Sequence, residues 1–271
     1  MPNTPPDQSL RCRIEIDKLR KIFLAEGREV VAVDDASFRI NDREFVALLG
    51  PSGCGKSTIL NMVATLIAPN GGDIRVDGAP VVPGRPIDHV GYVFQKDTLF
   101  PWRTVEGNIG YALELAGVPA EERKTRVAEA IRQAGLEGFG RFYPASLSGG
   151  MRQRVSLMRT LIARPEILLM DEPFGALDTH TKLDMHSVLL SLWERERQTV
   201  LFVTHDLGEA LTLADRIILM SARPGRVKAD FRVDFPRPRD AVRLRETPQY
   251  AELFSQVWHS LGEEFAKGRS V

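Results

Sequence analysis

The sequence predicts an α/β domain built on a mostly parallel sheet, with an antiparallel β layer near its start and a helical insertion in its middle. Three observations carry this. Short runs of buried-strand type at residues 45–49, 167–170, 199–203 and 216–220 alternate in the later part of the chain with helical stretches at 182–196 and 207–213. A glycine-rich turn joins the first of these strands to a helix. Between about Asp97 and Ser146 the strand signal gives way to helical periodicity at 105–116 and 120–134, separated by Gly117-Val118-Pro119 and closed by Gly135.

Taken in order, residues 1–12 read as a polar, proline-rich disordered leader without the basic start and apolar stretch of a secretory signal. Alternation at 13–16 and 30–40 predicts the antiparallel layer. Phe45-Val-Ala-Leu-Leu49 is a buried strand, followed by a helix from Lys56 to about Ile67 that Pro69 and Gly71-Gly72 close. Arg223-Pro-Gly-Arg226 predicts a type II turn, with Pro and Gly at its central positions. A last helix starts at Thr247-Pro248, as N-cap and first helical residue. Its stripe of Tyr250, Leu253, Phe254, Val257, Trp258 and Leu261 reads as core packing. The expected division is a main domain at 13–225, with its helical subdomain at about 97–158, and a C-terminal extension at 226–271.

Composition narrows the function. With 36 basic and 36 acidic residues, the chain has no charge excess to draw it to nucleic acid or an acidic membrane. Cys12 and Cys54 lie far apart and without zinc-ligand spacing, which fits a reducing cytoplasm. The longest apolar stretches are broken by polar residues such as Asn61 and Thr65, and fall short of a membrane span.

The glycine-rich turn, Gly50-Pro51-Ser52-Gly53-Cys54-Gly55-Lys56-Ser57-Thr58, fits the phosphate-binding loop pattern and lies where the pattern requires, between strand and helix. Backbone amides and the helix N-terminus face phosphates, Lys56 reaches the β- and γ-phosphates, and the Ser57 hydroxyl can ligate Mg2+. Asp171 and Glu172 end the strand at 167–170. Asp171 is placed to hold Mg2+ through water, and Glu172 to accept the proton of an attacking water. Taken alone, such an acidic pair reads equally well as a helix cap.

Leu147-Ser148-Gly149-Gly150-Met151 opens a helix with one apolar face, Met151, Val155, Met158 and Ile162. Its N-terminus is a second anion-binding device. One nucleotide scarcely needs two such sites in one chain, so Ser148 and Gly150 are expected to serve the nucleotide of a second subunit.

At this point the sequence resembles the ABC ATPase family, whose signature reads LSGGQ, over about residues 13–225. The order of motifs carries the resemblance: Phe23, the phosphate loop, Gln95 after a strand, Leu147-Ser-Gly-Gly150, Asp171-Glu172, Ala176-Leu-Asp178, and His205 in Val203-Thr-His-Asp206. Met151 departs from the signature's glutamine. The resemblance implies a RecA-like P-loop NTPase fold and ATP hydrolysis with Mg2+. It also implies that Phe23 stacks on adenine, Gln95 lies near Mg2+ and the water, Asp178 lies across a dimer interface, and His205 contacts the γ-phosphate. A second ATP-binding subunit, identical or related, is implied, with membrane-spanning permease subunits and, through them, an external solute-binding protein. The chain is then peripheral, on the cytoplasmic face of the membrane.

Leu99-Phe-Pro-Trp102, Met151-Arg-Gln-Arg154, Ala222-Arg-Pro-Gly-Arg226 and Phe235-Pro-Arg-Pro-Arg239 resemble the nitrate, sulfonate and taurine importers within that family. The stretch after His205 is too short for the β-barrel regulatory domain of sugar-type importers. The competing reading is a cytosolic ABC ATPase serving a non-transport complex. A small P-loop kinase gives no reason for the 147–150 motif. Trp102 reads equally as buried packing or as an exposed anchor for a permease helix.

Overall fold

The computed structural model describes residues 11–268. The first ten residues of the expected leader lie outside the described residues, and Cys12 already begins the first strand. Strands β1 (Cys12–Ala25) and β2 (Arg28–Asn41) form a long antiparallel hairpin. With β4 (Gly71–Val76) and β5 (Ala79–Pro80) they make a sheet in the order β2-β1-β4-β5. Strand β4 was not anticipated. Its Gly71-Gly72 reads as punctuation, yet Gly71 pairs with Arg20 of β1, and that pairing is a long-range contact.

The second sheet contains β3 (Phe45–Leu49), β6 (Val90–Val93), β7 (Ile167–Asp171), β8 (Thr199–Thr204), β9 (Arg216–Met220) and β10 (Val227–Arg232). Their order is β10-β9-β3-β8-β7-β6, parallel throughout except for β10, which runs antiparallel on β9. Strand β10, also unanticipated, comes from the C-terminal extension and pairs with the main domain's sheet.

The four inner strands bury side chains on both faces, as parallel strands covered on two sides must. In β3, Phe45, Ala47 and Leu49 join one core with Trp193, Phe174 and Phe202, while Val46 and Leu48 join a second with Ile14, Val33, Ile59 and Leu60. Phe45 meets Trp193 and Phe202 edge-on at 5.9 and 6.0 Å. The first core lies beneath the helices and the second beneath the antiparallel sheet and α1 (Lys56–Val63).

Helix α1 ends four residues before the expected Ile67. Thr65 takes a left-handed φ of 65°, and Leu66 N–H and Thr65 N–H donate to Asn61 O and Met62 O at 2.9 and 3.1 Å. These two bonds close the helix end in the Schellman manner.

In the helical insertion the expected 105–116 helix divides at Gly110 into α2 (Val105–Ile109) and α3 (Tyr111–Leu115), followed by α4 (Ala120–Gln133). Fully buried Asn108 donates to the carbonyls of Phe100, Arg103 and Thr104 and accepts from Phe100 N–H at 2.8 Å, so it fixes the 100–104 turn. Helix α5 (Gly149–Leu161) then returns toward the sheet, and α6 (Thr179–Glu196) and α7 (Leu207–Leu213) connect the later strands.

Helix α8 (Pro248–Gly268) begins as expected, with Tyr250 N–H donating to Thr247 Oγ1 at 3.3 Å. It buries Tyr250, Val257, Leu261 and Glu264. Trp258 does not join that stripe. One residue on from Val257 it is rotated about 100° around the helix, stays 52% exposed, and stacks on Phe254 at 6.0 Å. The turn at 223–226 is not type II: the Arg223–Pro224 bond is cis and Gly225 is absent from the positive-φ glycines. Gly225 is needed there for space. A Cβ on it would lie 1.9 Å from Cys54 O. None of the described helices is long and apolar enough to cross a membrane.

Candidate active site at the strand ends

The parallel strands β3, β8, β7 and β6 are neighbours, and the residues following each of them gather at their C-terminal ends, where α/β sheets present ligands. The loop at 50–58 follows β3. Gly55, with φ of 95°, precedes α1, and a Cβ there would stand 2.7 Å from Ala32 O and Val33 Cγ2, so side chains are excluded by both conformation and space. Lys56 is 5% exposed and its ammonium donates to Gly50 O and Pro51 O at 2.8 and 2.9 Å. Pro51, Cys54 and Gly55 are buried, while Ser52 and Gly53 form the exposed lip, and Ser57 and Thr58 are half-buried in the first turn of α1. Burial raises the Cys54 thiol above its ordinary pKa.

Strand β7 delivers Asp171, which is 7% exposed, and Ser57 Oγ donates to its Oδ1 at 2.7 Å. Burial raises the Asp171 carboxyl above the usual range, against the lowering by the Ser57 hydrogen bond. Glu172 follows with a left-handed φ of 43°, and its N–H donates to Val203 O at 3.0 Å. This turn aims its carboxylate across the strand ends. Gln95 Nε2, from the end of β6, donates to Glu172 Oε2 at 3.2 Å, and His205 Nδ1, from the end of β8, lies 3.1 Å from the same oxygen. The ends of β6, β7 and β8 thus meet at Glu172 Oε2, and the loop after β3 joins them through Ser57 on the adjacent Asp171. Among the residues singled out in the sequence, Ser57 contacts Asp171, and Gln95 and His205 both contact Glu172.

The acidic pair is therefore not a helix cap. That task falls to Asp178, which caps α6 by accepting from Thr181 N–H at 3.0 Å and Thr181 Oγ1 at 2.7 Å. These bonds hold the exposed Asp178 carboxyl below its ordinary pKa. Ser148 similarly caps α5 through Met151 N–H at 3.2 Å, with Ser148 and Gly149 exposed and Gly150 half-buried. Gly150 neighbours Leu177 and Ala176. Ser148, Gly149, Gly150 and Asp178 thus form a second region, whose side-chain bonds among the described residues stay within their own helix starts. Phe23, on β1, is 40% exposed with Lys21 Nζ 5.1 Å from its ring centre.

Sequence reasoning missed the support behind His205. Buried Thr204 donates to Glu209 Oε2 at 2.6 Å and accepts from Asp206 N–H at 3.0 Å, and Lys182 pairs with Glu209 at 2.8 Å. Only the Thr204 next to the histidine hinted at it. Arg223, whose guanidinium reaches Gly53 O, was also missed. Trp102 is 71% exposed, so it is not a packing residue; Phe100 beside it stacks edge-on against Tyr111 at 4.7 Å. They adjoin a groove of about 500 Å3 lined by Tyr92, Phe100, Tyr111, Leu115 and Arg159.

The Ser57 hydroxyl and Asp171 carboxylate are hard oxygen donors, a set that could hold a divalent cation such as Mg2+.

Comparison with known proteins agrees with this arrangement. The ABC transporter family model matches residues 33–175. An uncharacterized ABC transporter ATP-binding protein of Methanocaldococcus jannaschii is 43% identical over 95% of this chain and 94% of its own. The taurine import ATP-binding protein of Rhizobium johnstonii is 45% identical over 90% of this chain and 94% of its own. The aliphatic sulfonates import ATP-binding protein of Bacillus cereus is 38% identical, covering 94% and 96%. Among solved structures, a dimeric ATP-binding cassette in a post-hydrolysis state with ADP and Pi superposes with a TM-score of 0.73 at 31% identity, covering 82% of this chain and all of that one. Its fold is that of a P-loop NTPase, and this chain shares it as an α/β domain with a mostly parallel sheet and an antiparallel one. The chain belongs to the ABC transporter ATP-binding family, and it is an ATPase.

Proposed function

We propose that this chain powers an importer for a small anionic solute of the sulfonate, taurine or nitrate class, and that its ATP-driven closure into a dimer moves the membrane subunits. The observation that carries the reading is the division of its two anion-directed devices. One is assembled within the chain at the strand ends; the other, with Ser148, Gly149 and Asp178 exposed and Gly150 half-buried, bonds among the described residues only within its own helix starts. The cassette of known structure that it resembles is a dimer. Relatives named for taurine and aliphatic sulfonate import suggest the solute class.

In this reading the loop at 50–58 wraps the phosphates, with Lys56 turned to the β- and γ-phosphates and Phe23 against adenine. Ser57 and Asp171 hold Mg2+, assisted by Gln95, and the ion offsets the charge of the phosphates. Glu172 accepts a proton from the attacking water as the water oxygen bonds to the γ-phosphorus and the bond to the ADP oxygen breaks. Gln95 and His205, both on Glu172 Oε2 at 3.2 and 3.1 Å, orient that carboxylate and reach the γ-phosphate region. Ser148, Gly149, Gly150 and Asp178 complete the partner's site. Phe100 and the exposed Trp102 provide aromatic anchors for a short helix of the permease beside Gln95.

Affinity purification from detergent-solubilised membranes tests this. The chain is expected to retain a multi-span membrane protein, and the reconstituted complex to hydrolyse ATP faster when a sulfonate, taurine or nitrate is supplied with its binding protein. Recovery with only soluble or nucleic-acid partners would overturn it.

A further inference from the structure

The C-terminal helix reaches the phosphate-binding loop through a continuous set of hydrogen bonds. Glu264, near the end of α8, is 2% exposed. Its Oε2 accepts from Ala222 N–H at 2.9 Å, and its Oε1 pairs with Lys228 Nζ at 2.9 Å. Lys228 is held in turn by Ser260 O at 2.7 Å and by Glu263 at 2.6 Å. A carboxylate is buried at this point only with partners that offset its desolvation, and one of them is the backbone of the loop between β9 and β10.

That loop closes on itself, with Ser221 N–H donating to Arg226 O at 2.8 Å and Arg226 N–H donating to Ser221 Oγ at 3.0 Å. It then packs onto β2 and the phosphate loop. Gly225 N–H donates to Ala32 O and Gly225 O accepts from Asp34 N–H, both at 3.0 Å, and Arg226 pairs with Asp34. Arg223 Nε and Nη2 both donate to Gly53 O, at 3.2 and 3.1 Å. The phosphate loop is thus clasped from outside by β2 at Gly55 and by the 221–226 loop at Gly53 and Cys54.

The Arg223 contact has an electrostatic consequence. A guanidinium on the carbonyl of the peptide joining Gly53 to Cys54 polarises that peptide, strengthening its amide end as a donor. That amide, Cys54 N–H, lies 3.4 Å from Pro51 O, a long bond readily exchanged for a phosphate oxygen.

We propose that Arg223 and Glu264 are positioning residues for nucleotide binding: through the 221–226 loop, helix α8 sets the placement and donor strength of the phosphate-binding loop. The proposal rests on the reading that residues 50–58 hold ATP.

The test measures MgATP affinity and, in the assembled transporter, kcat and KM for ATP hydrolysis, using the full chain. Arg223→Ala is expected to weaken affinity and raise KM about fivefold, the low end for couplings between sites, with kcat within about twofold. Arg223→Lys, which retains one donor, recovers part of the loss. Glu264→Ala gives a similar loss, whereas Glu264→Gln, which keeps an acceptor for Ala222 N–H but not the charge paired with Lys228, gives a smaller one. The double variant Arg223→Ala/Glu264→Ala is no weaker than Arg223→Ala alone, because both act along one route. Wild-type affinity in Arg223→Ala, or additive losses in the double variant, overturns the proposal provided Lys56→Ala loses nucleotide. If Lys56→Ala also binds normally, the nucleotide site itself is misassigned and both readings fall. Should Glu264→Ala fail to fold, Arg223→Ala and its lysine rescue decide alone.

Discussion

In the proposed reading the strand-end group and the start of α5 both face phosphate, yet they differ in what they touch. At the strand ends, Ser57 bonds Asp171, and Gln95 and His205 meet Glu172, so the side chains are already arranged around one point. At the start of α5, Ser148 is exposed and bonds its own helix, and nearby Asp178 does the same for α6. The first region holds its acidic side chains in contacts with other strand ends. The second offers a capped helix terminus, whose free amides gain most from an anion brought by another molecule. If the proposed shared site is right, its two halves are told apart in one chain by which of them is bonded across strand ends and which only within its own helix.

The sharpest way to break this comparison is Glu172→Gln, which keeps the shape and the contacts of the carboxylate but cannot accept a proton. Turnover is expected to fall about a thousandfold, within the range for loss of a general base, while ATP binding persists and a nucleotide-bound dimer accumulates on size exclusion. Turnover within a few-fold of wild type would remove Glu172 from that role. Next in size, Lys56→Ala should weaken MgATP binding by about a hundredfold, the scale of losing a buried charge-assisted contact, as read by calorimetric titration.

Ser148→Ala probes the other region. It removes one phosphate-directed hydroxyl and should lower hydrolysis about tenfold with little change in the ATP affinity of the isolated monomer. It also removes a helix cap, worth about 1 kcal/mol, so the melting temperature is to be followed alongside. Mixing Ser148 and Lys56 variants should restore activity in heterodimers with one intact composite site; heterodimers that form yet stay inactive would count against a shared site.

In the chain between Glu172 and Asp178 lies Phe174, packed 4.7 Å from the ring of fully buried His186 on α6. Neither His186 ring nitrogen has a hydrogen-bond partner, and burial, with Arg245 and Lys182 nearby, lowers its pKa to about 3. In the unfolded chain the imidazole takes a proton below its ordinary 6.5, and in the fold it does not. Stability is therefore expected to fall as the pH drops from 6.5 toward 3, by about 1 kcal/mol at pH 5.5. Denaturant titrations at pH 7.5 and 5.5 should show His186→Leu losing less than wild type; an equal loss would place the acid sensitivity elsewhere.

Local pattern made much of the site legible. The 50–58 loop announces itself because successive amides can turn toward one anion only with glycines at set places, and Lys56 and Ser57 follow at fixed spacing. Asp171 and Glu172 end a buried strand visible from its apolar run. The alternating faces of β3 and its neighbours follow from residue type alone. Decisions that depend on distant segments were not written locally. That Gln95, Glu172 and His205 share one oxygen follows from the order β3-β8-β7-β6, which no single segment encodes. The pairing of Gly71 with Arg20, the stop of α1 at Val63 and the exposure of Trp102 and Trp258 were set by what packs, or fails to pack, against them. Gly225 shows the reason most directly. Its neighbours in sequence predicted a turn glycine chosen for its φ, whereas the fold uses it for the space that Cys54 O occupies, because sequence spacing fixes local dihedral preference and only the assembled chain fixes which atoms come within contact distance.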